Sequence, residues 1–325
     1  MLDKLNAAFT ARRVLLVGGH DRMTLFFESL LGALGARPAR IPPSSGAETV
    51  CRALTAGRVS ALIVPSLPLL APQRDEAGQL AALSMLLGEA REAGVPLTIL
   101  CSEANVYRAR QGAWYAREED PIGGETREGL AQSLLQLYAD GVSRGLCGDA
   151  VHVLCVRTLP SLGCGSPAVA QYSAWCRALD AGDLPEVAHP AMQGVFVHPL
   201  DMICGALMLG ARFFAGEEPC DGIWNLAPGP HNLCANRSAA LRFIARNGGT
   251  RPIGEVEPPM RPAQPMPDGE KARLLCGFGC QLDADEALDA LLALERAGME
   301  GDAALREVVQ RQTQAYVERL MRAQG

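Results

Sequence analysis

The sequence predicts an α/β protein built on a Rossmann-like, doubly wound parallel sheet with helices on both faces. Short apolar segments, typical of buried parallel strands, alternate with segments whose apolar residues recur at helical spacing. The first strand ends abruptly at Gly18-Gly19, and the helix that follows ends at Gly35. Strands separated by single helices form right-handed βαβ units, so the sheet is expected to be parallel.

The alternation runs through the first half of the chain. Residues 14–17 form an apolar run that predicts the first strand, and residues 24–34 predict the first helix, with Gly35 as its C-cap. A proline- and serine-rich turn follows at 42–46. The same patterns then predict a strand at 61–64, a helix at 75–93, a strand at 96–100, a helix at 125–140 and a strand at 151–156.

The second half of the chain is less regular. Glycine and proline become frequent after Arg157, and the proline-rich residues 251–267 predict an extended excursion. The tail returns to helix. Asp283 is placed to be an N-cap, Glu286 is placed to complete a capping box, and leucines follow at helical spacing.

Composition excludes several classes of protein. The chain of 325 residues is 48% hydrophobic and 20% charged, which is typical of an ordered globular protein. A net charge of −6 without a basic stripe predicts no nucleic-acid binding, and Arg12-Arg13 is expected to lie on a solvated face. No signal peptide or spanning segment is recognisable, so no membrane association is expected. The eleven scattered cysteines predict free thiols and a reducing cytoplasm, and no metal site is predicted because only Cys276 and Cys280 lie close.

Seven segments together carry a resemblance that none of them carries alone. They are residues 14–35, 99–107 (ILCSEANVY), 115–124 (YAREEDPIGG), Val156-Arg157 with Gly163-x-Gly165, 196–201 (FVHPLD), 222–226 (GIWNL), and Lys271-Ala272 with Gly277-Phe278. In this order they resemble the NAD-dependent sugar epimerase/dehydratase family of extended short-chain dehydrogenases/reductases. The segment YAREEDPIGG is most similar to CDP-glucose 4,6-dehydratases.

The resemblance implies a division into two domains. Residues 1–160 would form the Rossmann-like domain, with 194–230 returning to it, and residues 161–193 and 231–325 would form a smaller C-terminal α/β substrate domain. Members of this family often pair through helices of the Rossmann half. The leucine-rich helices predicted at 75–93 and 125–140 therefore suggest a homodimer.

The resemblance also implies NAD(P) as cofactor, but the turn that would bind it is degraded. Such a turn uses three glycines for the tight bend, for close approach to the pyrophosphate and for helix packing. In either possible alignment only one glycine remains, Gly18 or Gly19, and in the first alignment Asp21 sets a carboxylate beside the pyrophosphate. No acidic residue follows the second strand to hold a ribose. Weak or absent NAD(P) binding is expected, with Gly18 and Gly19 as remnants of the site.

The residues for the family's redox chemistry are also missing. That chemistry needs a tyrosine four residues before a lysine, because the ammonium lowers the pKa of the phenol that transfers the proton. Lys4 and Lys271 are the only lysines, and no Tyr-x3-Lys exists. Glu128 falls at the lysine position and Glu103 at that of the catalytic Ser or Thr. The next two residues, alanine and asparagine, occupy the dehydratase's acid/base positions and cannot transfer protons.

The remaining cleft positions have both a functional and a structural interpretation. By the resemblance, Tyr107, Arg157, His198 and Asn225 would line the substrate cleft. As ordinary structural residues, His198 would be hydrogen-bonded within the fold, and Arg157 and Asn225 would tie strand ends to loops. Gly194 stands where the family commonly has an arginine that binds the nucleotide's phosphates.

Three hypotheses follow for the function. The first is a pseudoenzyme without oxidoreductase activity whose cleft binds a nucleotide, a sugar nucleotide or nothing. The second is an enzyme that acts on a nucleotide sugar through a rearranged acid/base pair, Glu103 and Glu128, with Ser102 beside it. The third is an active dehydratase or epimerase with an unrecognised catalytic arrangement.

Overall fold

The computed structural model is organised around a six-stranded parallel sheet. It describes residues 1–67, 70, 75–108, 115–146, 148, 151–159, 167–218, 222–246, 252–257 and 266–323. In chain order the elements are α1 (Leu2–Phe9), β1 (Arg13–Val17), α2 (Arg22–Ala33), β2 (Arg37–Ile41), α3 (Ala47–Thr55), β3 (Val59–Val64), α4 (Glu76–Glu92), β4 (Thr98–Glu103), β5 (Tyr115–Ala116), α5 (Arg127–Ser143), β6 (Val153–Thr158), α6 (Pro167–Ala181), β7 (Glu186–Ala188), β8 (Gln193–Val195), α7 (Pro199–Ala215), β9 (Gly222–Asn225), β10 (Leu233–Ala235), α8 (Asn236–Arg246), β11 (Gly254–Val256), β12 (Met266–Pro267), α9 (Glu270–Cys276), α10 (Ala284–Glu300) and α11 (Asp302–Arg322).

The six strands of the main sheet lie in the order β2-β1-β3-β4-β6-β9, and every neighbouring pair is parallel. The strand order reverses between β1 and β3, the switch point at which such sheets bind ligands beside the carboxyl ends of the strands. Among the described residues only β2 lies beyond β1, whereas the sheet that binds dinucleotides usually has two strands there. The predicted doubly wound parallel sheet is therefore confirmed, with a shortened first half.

Helices cover both faces of the sheet, as predicted. Successive side chains of a strand point to opposite faces, so alternate residues of β1 enter different cores. Leu16 lies in the core built with α1, α2 and α7, whereas Leu15 and Val17 lie in the core built with α3, α4 and α5. Burial on both faces explains why the central strands are apolar without interruption.

The C-terminal part packs against the α2 and α7 side of the sheet. It contains α8, α10, α11 and two-stranded sheets formed by β7 with β11 and by β8 with β10. Asp201 of α7 ties this part to the sheet layer, since it accepts hydrogen bonds from Gln281 N at 2.7 Å and Tyr316 Oη at 2.8 Å. Burial raises the pKa of Asp201 to about 6. The predicted capping box of Asp283 and Glu286 is present at the start of α10.

Several elements were not predicted from the sequence. In the first half of the chain they are α1, β2, α3 and β5, whose apolar patterns are weak, and in the second half the helices α6 to α9 were not predicted individually. The edge strand β2 contains Pro38 and has one fully buried residue, so it lacks the apolar run of an interior strand. The Gly163-x-Gly165 segment and residues 258–265 of the proline-rich stretch lie outside the described residues.

No helix in the described part of the chain combines the length and apolar character that a membrane span requires.

Candidate functional site

The turn between β1 and α2 is occupied by the chain's own carboxylate. Asp21 is the N-cap of α2, and its side chain accepts hydrogen bonds from Thr24 N at 3.0 Å, Thr24 Oγ1 at 2.6 Å and Gly19 N at 3.3 Å. A Cβ on Gly18 would lie 2.0 Å from Thr24 Oγ1, so only glycine fits at that position. Free N–H groups at such a helix start are what makes it an anion site. Here Asp21 takes the place of an anion.

Side chains from the C-terminal helices reach this turn. Arg22 forms an ion pair with Glu295 of α10, and Arg306 of α11 lies 2.8 Å from Nδ1 of His20. On the other side, Arg40 donates a hydrogen bond to the Gly19 carbonyl at 2.9 Å. The turn is therefore held by contacts to β2, α10 and α11 as well as by its own cap.

The Asp21 cap leads to a first prediction. Asp21→Ala is expected to lower the free energy of unfolding by about 1 kcal/mol, because the first-turn donors lose their acceptor. Asp21→Asn is expected to lower the free energy of unfolding by only a few tenths of a kcal/mol, since an amide oxygen caps a helix about as well as a carboxylate. Urea denaturation in phosphate-free buffer measures both changes. Equal stability of the alanine variant and the parent would show that Asp21 does not cap α2.

Ser102, at the end of β4, is buried and fully engaged. Its hydroxyl donates to Gln132 Oε1 at 2.9 Å and accepts a hydrogen bond from Gln136 Nε2. Both glutamines are on α5 and are 2% exposed, as is Ser102. The hydroxyl thus anchors α5 on the sheet.

Glu103 and Glu128 are near each other but differ in their surroundings. Glu103 is partly buried, and its Oε2 accepts from Asn105 Nδ2 at 2.9 Å and from Gln132 Nε2 at 3.5 Å. Burial raises the pKa of Glu103, the hydrogen bond from Gln132 lowers it, and the charge of Glu128 raises it. Glu128 is exposed in the first turn of α5. Only one carboxylate of the pair is therefore desolvated.

The position four residues before Glu128 cannot carry a side chain. This residue is Gly124, and a Cβ there would lie 2.5 Å from the Gly129 carbonyl carbon and 2.7 Å from the Asn105 carbonyl oxygen. A Cβ on Gly129 would lie 2.4 Å from the same oxygen. The start of α5, where the resemblance would place Tyr and Lys, is thus pressed directly against the backbone that follows β4.

Three of the predicted cleft residues form one buried hydrogen-bond network. Arg157 donates to Tyr107 Oη at 2.8 Å and to Gln136 Oε1 at 2.6 Å, and Tyr107 Oη donates to Asn225 Oδ1 at 2.7 Å. Arg157 and Tyr107 are 1% exposed and Asn225 is 0% exposed. Burial raises the pKa of Tyr107, and the charge of Arg157 lowers it. The network joins the segment that follows β4 to α5, β6 and β9.

Asn225 also fixes the segment around β5. Its amide donates to Ala116 O at 2.8 Å, and its backbone N donates to Glu118 Oε1 at 2.9 Å. Arg157 reaches the same segment through a hydrogen bond to Glu118 O at 3.3 Å.

His198 lies apart from this network. It is the N-cap of α7, where Nδ1 accepts from Leu200 N at 3.1 Å and Nε2 lies 2.9 Å from Gln312 Oε1 of α11. Burial lowers the pKa of His198 to about 4. A neutral ring must carry its proton on Nε2 to satisfy both contacts. The imidazole thus links α7 to α11.

Sequence reasoning missed Gln132, Gln136 and Glu118. The two glutamines are four residues apart and so share one helical face. The other residues on that face of α5 are mostly apolar or small. Two glutamines on such a face could have predicted a buried hydrogen-bond network.

Comparison with known proteins finds solved structures that share this fold. No protein-family model and no curated protein matches the sequence. Among solved structures, UDP-glucose 4-epimerase of Thermotoga maritima, solved with UDP-glucose, is similar with a TM-score of 0.68 and 14% identity over 89% of this chain and 100% of that one. An epimerase of Methanothermobacter thermautotrophicus gives 0.70 and 16% over 94% and 97%. A dTDP-glucose 4,6-dehydratase of Streptomyces venezuelae, solved with NAD, gives 0.68 and 16% over 89% and 98%. The likeness covers nearly the whole chain and, at these identities, shows the fold.

Proposed function

We propose that the chain is a protein of the epimerase/dehydratase fold without oxidoreductase activity, retained as a nucleotide or sugar-nucleotide binding protein. The observation that carries the proposal is the occupation of the β1–α2 turn by Asp21. A pyrophosphate at this turn would have to displace the carboxylate from Thr24 N and Gly19 N and would also meet its negative charge. NAD(P) does not fit this turn as it is built.

The start of α5 supports the same proposal. Gly124 leaves no room for a tyrosine, and Glu128 sets a negative charge where the family's lysine has a positive one. A carboxylate would raise rather than lower the pKa of a nearby phenol. Hydride transfer by the family's mechanism therefore has neither its acid/base nor its cofactor.

A nucleotide ligand remains the proposed partner, because the strand order still reverses between β1 and β3, where sheets of this type bind ligands. Titration calorimetry with CDP and CDP-glucose tests it, accompanied by assays for dehydration and epimerisation of nucleotide sugars. Saturable binding without turnover supports the proposal. Turnover of any nucleotide sugar would exclude a non-enzymatic protein.

A second candidate function rests on Glu103. A carboxyl group with a raised pKa beside a second carboxylate suits general acid/base chemistry on a nucleotide sugar. The exposure of Glu128 weakens this alternative, because nothing in the surroundings of a solvated carboxylate distinguishes it from an ordinary surface glutamate without a catalytic role. Any turnover detected would have to fall at least about tenfold in both Glu103→Gln and Glu128→Gln. Unchanged turnover in either variant would remove this candidate.

A homodimer through α4 and α5 is part of the proposal. Leu130, Leu134 and Leu137 on α5 are 50%, 46% and 55% exposed, which is an apolar stripe that a second copy would cover. Light scattering is expected to give twice the chain mass of 34.5 kDa. The double substitution Leu134→Glu/Leu137→Glu is expected to give the single-chain mass. Leu241→Glu, at a leucine 46% exposed on α8, is the control and should leave the dimer intact. A monomeric parent protein would contradict the proposal.

A further inference from the structure

The amino-terminal edge of the sheet carries a row of arginines on neighbouring strands. Arg13 and Arg37 are the first residues of β1 and β2 and are register partners. Arg58 directly precedes Val59, which is the register partner of Arg13 on β3. Neighbouring strands lie about 4.8 Å apart, so these three residues stand side by side, with Arg12 next to them in the chain. We call Arg12, Arg13, Arg37 and Arg58 the arginine row.

The arginine row lines a groove of about 850 Å³. Thr10 and Ser60 add two hydroxyl-bearing side chains to its lining, and none of the described residues that line it is an aspartate or a glutamate. The groove lies at the edge of the sheet opposite to the β1–α2 turn, because parallel strands all begin at one edge and end at the other.

Helix C-termini account for only part of this positive charge. Arg12 donates from Nε to Ala8 O in α1, and Arg13 donates from Nη1 to Ala56 O after α3. Each such helix end carries about half a negative charge, so two of them offset about one of the four positive charges. Within the described part of the chain, the guanidinium groups of Arg37 and Arg58 form no hydrogen bond or ion pair.

The backbone around the groove adopts conformations that need support from their surroundings. Ala11 has φ 61° and Arg58 has φ 46°, both in the left-handed region that side chains disfavour. A Cβ on Gly57 would lie 2.8 Å from Arg13 Nη1, so glycine allows the guanidinium to lie over the backbone. Such conformations gather where a chain shapes a binding site.

We propose that the groove of the arginine row binds a small molecule carrying a diphosphate or other multiply charged phosphate group. Guanidinium groups match phosphate oxygens with paired N–H donors, and hydroxyls such as Thr10 and Ser60 supply further donors. The volume lies in the range of small-ligand sites. The amino edge of the sheet thus carries arginines that form no ion pair within the described part of the chain.

Calorimetric titration of the full chain with inorganic pyrophosphate tests this site. Saturable 1:1 binding is expected, weaker at about 150 mM salt than at about 20 mM because exposed charges are screened. The double variant Arg37→Ser/Arg58→Ser is expected to weaken binding at least tenfold. Both side chains are exposed, and within the described residues their guanidinium groups form no hydrogen bond or ion pair, so thermal unfolding of the double variant should match that of the parent.

A control variant removes the same charge elsewhere. Arg144→Ser/Arg273→Ser removes two exposed arginines, one at the C-cap of α5 and one on α9, and should change the affinity less than twofold. No saturable binding by the parent, or equal weakening in both double variants, would overturn the proposal. Tighter binding in Asp21→Asn with no effect of Arg37→Ser/Arg58→Ser would place the anion at the β1–α2 turn and would also overturn it. This test does not depend on nucleotide binding at the switch point, so the two proposals can fail separately.

Discussion

Replacement of Arg157 by methionine is expected to lower the free energy of unfolding by roughly 3 kcal/mol. The substitution keeps an apolar stem but removes the donors to Gln136 Oε1, Tyr107 Oη and Glu118 O. Because Arg157 is 1% exposed, water cannot easily replace those donors. Chemical denaturation monitored by circular dichroism measures the loss.

Arg117→Met is the matched control for this prediction. Arg117 directly follows β5, and its side chain is 65% exposed in an ion pair with Asp268 at 3.6 Å, so its loss should cost less than about 0.5 kcal/mol. A loss below about 1 kcal/mol for Arg157→Met would contradict the network, because it would mean that the freed acceptors find other donors.

Two glycines of α5 are expected to respond to alanine in opposite directions. Gly129→Ala should destabilise the protein by about 2 kcal/mol or more, because its Cβ would lie 2.4 Å from the Asn105 carbonyl oxygen and the helix would have to move away from β4. Gly141→Ala should stabilise it by about 0.5–1 kcal/mol, because among the described residues its Cβ meets only Leu146 Cδ1 at 3.9 Å and alanine favours helix.

Both variants carry the same substitution on the same helix, so their free energies of unfolding, measured by urea denaturation, can be compared directly. Equal effects of the two substitutions would mean that α5 does not press on the Asn105 carbonyl. Tyrosine could then be accommodated near Gly124, and the absence of the family's acid/base would no longer have a structural basis.

The fold could be predicted where burial dominates the choice of residue. The interior strands are apolar on both faces, and Asp283 with Glu286 forms the expected capping box. Gly35 closes α2 with a φ of 76°, although the C-cap itself is the preceding residue, Leu34. Edge strand β2 was not predicted because most of its residues are only partly buried and need not be apolar. The short helices α1 and α3 were not predicted because they have too few turns to show a clear helical spacing of apolar residues.

The site could be predicted mainly through what is missing. The absence of Tyr-x3-Lys and of two phosphate glycines is visible in the sequence, as is a carboxylate at Asp21. Contacts between distant segments are not visible there. Three features depend on how strands and helices meet in three dimensions. They are the capping of α2 by Asp21, the lack of space for a side chain at Gly124, and the alignment of Arg13 with Arg37.

The most direct test of the central claim is calorimetric titration of the full chain with NAD⁺ and NADP⁺, with Arg37→Ser/Arg58→Ser titrated in parallel to remove any contribution of the arginine row. We expect no saturable binding by the double variant at ligand concentrations up to about 1 mM, which corresponds to less than about 4 kcal/mol of binding free energy. Saturable binding by that variant with a dissociation constant near 1 μM, or about 8 kcal/mol, would contradict the account, since a dinucleotide would then occupy the turn that Asp21 is held to fill.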